Sequence, residues 1–338
     1  MEAELHRAEA WKPTQFGVPD DLLAGVKRWP PADVAPAPVV KPASAHKGEC
    51  VLRDLHGRKL RVLEMINVSV PFRMAIHPPS VDPMARDMVR DGFWEIHNPA
   101  DLAKPVAAWR SADVLLSSAR RRTLVDIGAN LGYYSLLFAS HGWNVLAVEP
   151  MAYNRNALAA SLCLNPTLAS RITLVAAALV SPDQESGDHC VVVSPGRNAG
   201  NGRVIFNRAN CSKVGRGFAH CEPIRTTTLD RLLSETALTA AASAPDDVVV
   251  AKMDVEGFEC NVLKGGLSLF YRLHPRFFQV ELKRPHVRKC VEEYAKAHGF
   301  VLGPSDGHDG NTVLYPAVDH GYGDSVSDPF RKRDRKLW

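Results

Sequence analysis

Three short groups of residues in this chain have the types and spacing for chemistry. The first is Asp126-Ile-Gly128-Ala-Asn130-Leu-Gly132, which follows a β-branched apolar run and opens a helical pattern. A glycine at such a turn lets backbone approach a ligand without a Cβ clash, and the first helical turn offers free N–H groups. That is a cradle for a nucleotide. Its glycines are spaced Gly-x-x-x-Gly, not the Gly-x-Gly-x-x-Gly of a dinucleotide turn, and no Gly-Lys-Ser/Thr of a P-loop follows. An acid at position 126 would repel a pyrophosphate. It suits the cationic amino acid moiety of S-adenosylmethionine.

The second group is Glu149, which closes the next strand 23 positions after Asp126. A carboxylate there can accept both hydroxyls of a ribose, by the logic that places an acid in dinucleotide folds. Read alone, it is an exposed strand-end glutamate. The third group is Lys252-Met-Asp254-Val-Glu256-Gly257, at the end of an apolar strand. Strand alternation sets Lys252, Asp254 and Glu256 on one side while the strand persists. Ligands of open α/β sheets bind beyond the carboxyl ends of the strands, so all three groups are expected at one crevice.

Glu256 or Asp254, assisted by Lys252, is the expected general base for a hydroxyl nucleophile, with the longer Glu256 preferred. A rival arrangement uses Asp254, Glu256 and Glu281 as an oxygen-rich Mg²⁺ site, although no metal is assigned here. His274, His286, His308 and His320 are further candidate bases, each read more simply as a surface or loop histidine.

The elements that must hold these groups alternate between strand and helix. Strands are expected over 123–127, 143–149, 172–180, 248–254, 277–282 and 311–315. Helices are expected over 131–140, 153–164, 258–270 and 286–298, with another from Leu229 capped by Thr228. Upstream, two short strands flank a turn at His56-Gly57, and helices cover 83–91 and 99–118. The second of these ends in the solvated basic run Arg120-Arg121-Arg122. Residues 181–221 form a turn-rich excursion with short strands at 189–193 and 203–207. This rhythm predicts an α/β fold: a mostly parallel, doubly covered sheet.

Four regions follow from the pattern. Residues 1–47 are a loosely ordered arm with five prolines between Pro30 and Pro42. Residues 48–122 pack on the core, residues 123–318 carry the crevice, and residues 319–338 are a basic tail.

Composition narrows the function. Of the 338 residues 46% are apolar, which excludes a disordered chain, and the net charge of +4 is no polyanion binder's. The Asn/Asp-Pro-Pro-aromatic motif of amino-methylating DNA enzymes is replaced by Asp254-Val-Glu-Gly, so a nucleic-acid substrate is not expected. No apolar run approaches the roughly 18–20 residues of a membrane span. The start lacks a secretory h-region, which makes the cytoplasm the default compartment. The seven cysteines form no CxxC pair and are expected as reduced thiols, a Cys211–Cys221 bridge being conceivable on spacing alone.

Over residues 90–316 the sequence resembles the FkbM-type family of S-adenosylmethionine-dependent methyltransferases. The resemblance is carried by Val125-Asp-Ile-Gly-Ala-Asn-Leu-Gly-Tyr-Tyr-Ser135, Ala147-Val-Glu-Pro150 with Asn154, Thr228-Leu-Asp-Arg-Leu-Leu233, Lys252-Met-Asp-Val-Glu-Gly257 and Val262-Leu-Lys-Gly-Gly266. Gly92-Phe-Trp-Glu95 resembles the element preceding the first motif. The resemblance implies a Rossmann-like, seven-stranded class I methyltransferase sheet and O-methylation of a sugar or other small metabolite. Asp126, Gly128, Asn130 and Gly132 would hold the methionine end of S-adenosylmethionine, and Glu149 its ribose. Asp254 and Glu256 would lie where donor and acceptor meet. One departure is Ala176-Ala-Ala-Leu-Val-Ser181, which has no acid at the usual adenine edge. The rival classes are a non-catalytic binding protein on this fold and a nicotinamide-dependent oxidoreductase. Oligomeric state leaves no mark in the sequence.

Overall fold

The computed structural model describes residues 39–40, 50–106, 122–185, 189–193, 198, 200–206, 221–236, 248–305 and 310–317. Most of the proline-rich arm, the 237–245 loop, Arg120, Arg121, Cys211, His308, His320 and the basic tail lie outside the described residues.

In chain order the strands are β1 (Val39–Val40), β2 (Arg61–Met65), β3 (Phe72–Ile76), β4 (Arg122–Ile127), β5 (Asn144–Val148), β6 (Ile172–Val175), β7 (Ala178–Leu179) and β8 (His189–Val193). They continue as β9 (Gly202–Phe206), β10 (Cys221–Ile224), β11 (Thr226–Thr227), β12 (Val248–Met253), β13 (Phe277–Glu281), β14 (Phe300–Ser305) and β15 (Asn311–Pro316). The helices that matter for the site are α1 (Pro83–Asp91), α2 (Tyr133–Ser140), α3 (Ala152–Leu164), α4 (Pro166–Ala169), α5 (Leu229–Glu235), α6 (Glu259–Lys264) and α7 (Pro285–Ala297).

The main sheet runs β1-β6-β5-β4-β12-β13-β15-β14. Strands β6, β5, β4, β12 and β13 are parallel, and β15 runs antiparallel between β13 and β14. Those seven strands form the class I methyltransferase sheet that the sequence implies, with β1 added antiparallel at one edge. Lying between β5 and β12, β4 is buried at every position, which is why it reads as a continuous apolar run. Helix α2 is buried over residues 133–139, too uniformly for an amphipathic stripe.

One core cluster joins Met65, Met74, Ile76 and Met88 of the N-terminal region to Leu136 and Phe138 of α2 and to Trp143 just before β5. Burying side chains of this size contributes roughly 1.5–3 kcal/mol each. The β2–β3 hairpin therefore packs on the crevice-bearing unit, and α1 lies beside it. Asp82 caps α1, accepting from the Ala85 N–H at 3.2 Å, with Pro83 in the first turn.

Several expectations are corrected. Around Gly57 there is a single bridge, Arg53 to Lys59, rather than two strands. The expected 99–118 helix is a 3₁₀ helix over Pro99–Val106 where described. Arg122 is no solvated helix end: it starts β4, is buried, donates to the His141 carbonyl at 2.6 Å and lies over the Trp143 ring. The expected 172–180 strand is broken, with β7 leaving the sheet to pair with β11. The expected 258–270 helix ends at Lys264, with Gly265 as its C-cap, and a π-helical segment follows over Leu269–Leu273.

The cysteines are also corrected. Cys50 and Cys163 are disulfide-bonded across 113 residues of sequence, tying the N-terminal region to α3. Cys260 and Cys290 join α6 to α7, and Cys221 is disulfide-bonded as well. These pairs are distant in sequence, so no CxxC spacing announces them.

Candidate active site

The three groups meet at the carboxyl ends of β4, β5 and β12. β4 and β12 pair in register, with Asp126 beside Lys252. Past Ile127 the chain turns through Gly128 at φ +82, and a Cβ there would lie 1.9 Å from the Asp254 carbonyl oxygen. Only glycine permits this approach of two strand ends. Gly132 begins α2 at φ +85 and packs on Leu158, so it shapes the turn and faces neither cleft.

Glu149 is buried at 4% exposure. One carboxylate oxygen accepts from the Asn130 N–H at 2.8 Å, and the other from the Met151 N–H at 2.9 Å. Burial pushes its pKa up to about 7, although the Met151 and Asn130 N–H groups oppose the shift. Asn154, on α3, donates to the Gly200 carbonyl at 3.0 Å and so anchors the 181–221 excursion beside Glu149.

Asp126 is also buried. Its Oδ2 accepts from Ser135 Oγ at 2.6 Å, whereas its Oδ1 has no hydrogen-bond partner among the described residues. Burial raises its pKa, and the nearby Lys252 ammonium works against that rise. Lys252 lies 3.4 Å from Asp254 Oδ2 and 5.1 Å from the centre of the Tyr134 ring. Burial alone would lower the pKa of Lys252, but the charges of Asp254, Asp126 and Glu95 reverse this and hold the ammonium above the usual lysine range.

Strand alternation does not carry through to Glu256. β12 ends at Met253, and Glu256 is delivered by a turn at φ +57. Glu259 braces that turn by accepting from the N–H groups of Val255 and Gly257 at 3.2 and 3.1 Å. Burial raises the Glu256 pKa, and Asp254 adds to the rise. Glu281 stands at 2.7 Å from Lys283, its pKa raised to about 7 by burial and by Asp254.

Two clefts converge on these residues. One, of about 730 Å³ including its mouth, runs past Gly128, Glu149, Met151, Ala177 and Phe258. The other, of about 1020 Å³, is bounded by Asp82, Trp94, Glu95, Tyr134, Lys252 and Glu281, among others. Gly128, Asn130, Asp254 and Glu256 line both. Of the four non-glycine residues with left-handed backbone among the described residues, Glu95, Asn130 and Glu256 line the second cleft. Strain of this kind collects at functional sites.

The first cleft suits a nucleoside: an apolar slot, a carboxylate for ribose hydroxyls and a glycine at the crossing. The orphan Asp126 oxygen and the neighbouring acids suit a positively charged amino acid end. Among the described residues no three His, Cys, Asp or Glu side chains gather at metal-binding distance. His274 and His286 line neither cleft.

The sequence reading does not single out Asp82, and it meets Tyr134 and Glu95 only as parts of resembling elements. An Asp-Pro pair ahead of a helical pattern is an N-cap signal and could have marked Asp82. Nothing local marks Tyr134, whose hydroxyl donates to Glu95 at 2.8 Å.

A family model described as the methyltransferase FkbM domain matches residues 126–304. No curated protein matches the sequence. Among solved structures, the N-terminal domain of human METTL16 in complex with SAH is 14% identical, covering 81% of this chain and 90% of that one, with a TM-score of 0.38. A human methyltransferase 10 domain containing protein is 14% identical over 70% of this chain and 94% of that one, with a TM-score of 0.36. Precorrin-6y C5,15-methyltransferase from Geobacter metallireducens GS-15 is 11% identical over 60% and 84%, with a TM-score of 0.31. Likenesses this loose say nothing about substrate.

Proposed function

The chain belongs to the FkbM methyltransferase family, and on that premise we propose that it transfers a methyl group from S-adenosylmethionine to a hydroxyl of a sugar or other small metabolite. The observation that carries this reading is the meeting of the two clefts at Gly128, Asn130, Asp254 and Glu256. When bound, S-adenosylmethionine supplies a methyl on a positively charged sulfur, whose C–S bonding pair returns to sulfur as the acceptor oxygen forms the new C–O bond.

The chain's own residues do the rest. Glu149 accepts the ribose hydroxyls. Ala177, Leu179 and Phe258 provide the apolar walls for the adenine, whose amine is left to backbone carbonyls or to a residue of the 181–221 excursion, since among the described residues no acid stands at that edge. Asp126 attracts the ammonium of the methionine end, and the Gly128 and Asn130 backbone leaves room for it. Glu256 takes the proton of the acceptor hydroxyl on its carboxylate. Burial and the neighbouring Asp254 raise its pKa, which makes its carboxylate a stronger base. Lys252, held between Asp126 and Asp254, keeps both carboxylates in place.

Calorimetry with S-adenosylhomocysteine and labelled-methyl transfer into fractionated extract test the proposal together. Glu256→Ala and Asp254→Ala are each expected to bind S-adenosylhomocysteine normally. Glu256→Ala should lose roughly 10²–10⁴-fold in turnover, the contribution of a general base. Normal turnover in Glu256→Ala removes that residue from the role, and no heat with S-adenosylhomocysteine removes the cofactor.

A further inference from the structure

Neither cleft uses the cysteines. Among the described residues five of them are disulfide-bonded: Cys50 to Cys163, Cys260 to Cys290, and Cys221 in a third bond. In the two pairs the Cα atoms stand 5.7 and 6.1 Å apart, within the span that a disulfide bridges. None of the five lines either cleft.

A disulfide that switches or catalyses belongs beside reacting groups, with a low-pKa thiol close to its resolving partner. These three are dispersed over the molecule and join elements. Cys50 fastens the segment ahead of β2 to the last turn of α3, and Arg58 reaches the same helix by donating to Tyr153 Oη at 2.8 Å. Cys260 and Cys290 tie α6 to α7, and Cys221 opens β10. All five bonded cysteines are half-buried and not sealed in the core. Small thiols can therefore reach them, and the glutathione and thioredoxin systems of a cytosol keep such pairs reduced.

We infer that the protein folds and works in an oxidising compartment outside the cytosol, with the disulfides as permanent crosslinks, and not in the cytoplasm that the sequence suggests by default. Each bond forms as two thiols give up two protons and two electrons to a disulfide of that compartment, carried by an exchange protein or by glutathione, which is reduced to its thiols. The crosslinks stand independently of the methyl-transfer reading. Under that reading, donor and acceptor must both reach the same compartment.

The test traps the full chain in the cells that make it. Acid quenching and then alkylation under denaturing conditions mark each thiol that is free at the moment of quenching, and peptides are mapped without reduction. Three bonds occupy six of the seven cysteines, so one alkylated thiol per chain is expected, with Cys50 joined to Cys163 and Cys260 to Cys290. Reduction ahead of alkylation should raise the count to seven. Cys163→Ser made in the same cells should show two, with Cys50 as the new one. Seven alkylated thiols in the quenched sample, bonds that appear only when quenching is omitted, or either named pair exchanged for another overturns the inference. A cytosolic switch would give the same cysteines in both bonded and alkylated forms, and that result overturns it too. If Cys163→Ser does not accumulate, the wild-type map decides by itself. Failure to bind S-adenosylhomocysteine would leave these counts untouched and would overturn the cofactor reading alone.

Discussion

Lowering the pH should weaken S-adenosylhomocysteine binding through one group, Glu149. This carboxyl is buried, and its pKa is raised to about 7. Only the ionised form accepts from both ribose hydroxyls while keeping the Asn130 and Met151 N–H bonds. Below pH 7 the free protein holds a proton on Glu149 that the ligand must expel. One unit below the pKa about one molecule in eleven is ionised, so affinity should fall about tenfold at pH 6 and about thirtyfold at pH 5.5, levelling off above about pH 8. Calorimetry in buffers of different ionisation enthalpy should detect close to one proton released per ligand bound at pH 6. Glu149→Gln should bind weakly at every pH and show no slope. A flat wild-type affinity over that range would refute the assignment. A slope that survives in Glu149→Gln would do the same and would shift attention to Glu281, whose pKa is also raised to about 7.

Other perturbations have definite expected outcomes. Gly128→Ala forces a Cβ to within 1.9 Å of the Asp254 carbonyl at φ +82, so a lower melting temperature together with lost S-adenosylhomocysteine binding is expected. Lys252→Met strands Asp126 and Asp254 without their shared cation and should cost about 3–5 kcal/mol in denaturant unfolding. Cys163→Ser opens a crosslink spanning 113 residues, for which loop closure predicts a loss of up to about 4–5 kcal/mol. Thiol reductant should lower the wild-type melting temperature by more than that of the variant, which has only the Cys260–Cys290 bond and that of Cys221 left to lose.

The sheet strands and the three chemical groups were legible because the signal is local. Strands β4 and β12 are buried on both faces and read as apolar runs, and each ends in its own glycine-containing turn. The position of Glu256 was legible in outcome but not in route, since the backbone leaves the strand at Asp254 and turns through a left-handed residue. β14 escaped notice because Gly303 and Pro304 read as a turn. As the edge strand of the sheet it tolerates the proline's missing N–H. The β2–β3 hairpin, Asp82 and the Cys50–Cys163 bond depend on contacts between distant segments, which periodicity and spacing do not encode.

Asp82, Trp94 and Glu95 stand on one bank of the larger cleft, and all of them precede residue 126. The residues named for the nucleoside slot all fall within 126–304, whereas those three lie outside it. Under the proposed function, donor contacts come from one stretch of chain and part of the recipient's surroundings from another, and the Cys50–Cys163 bond staples the two together.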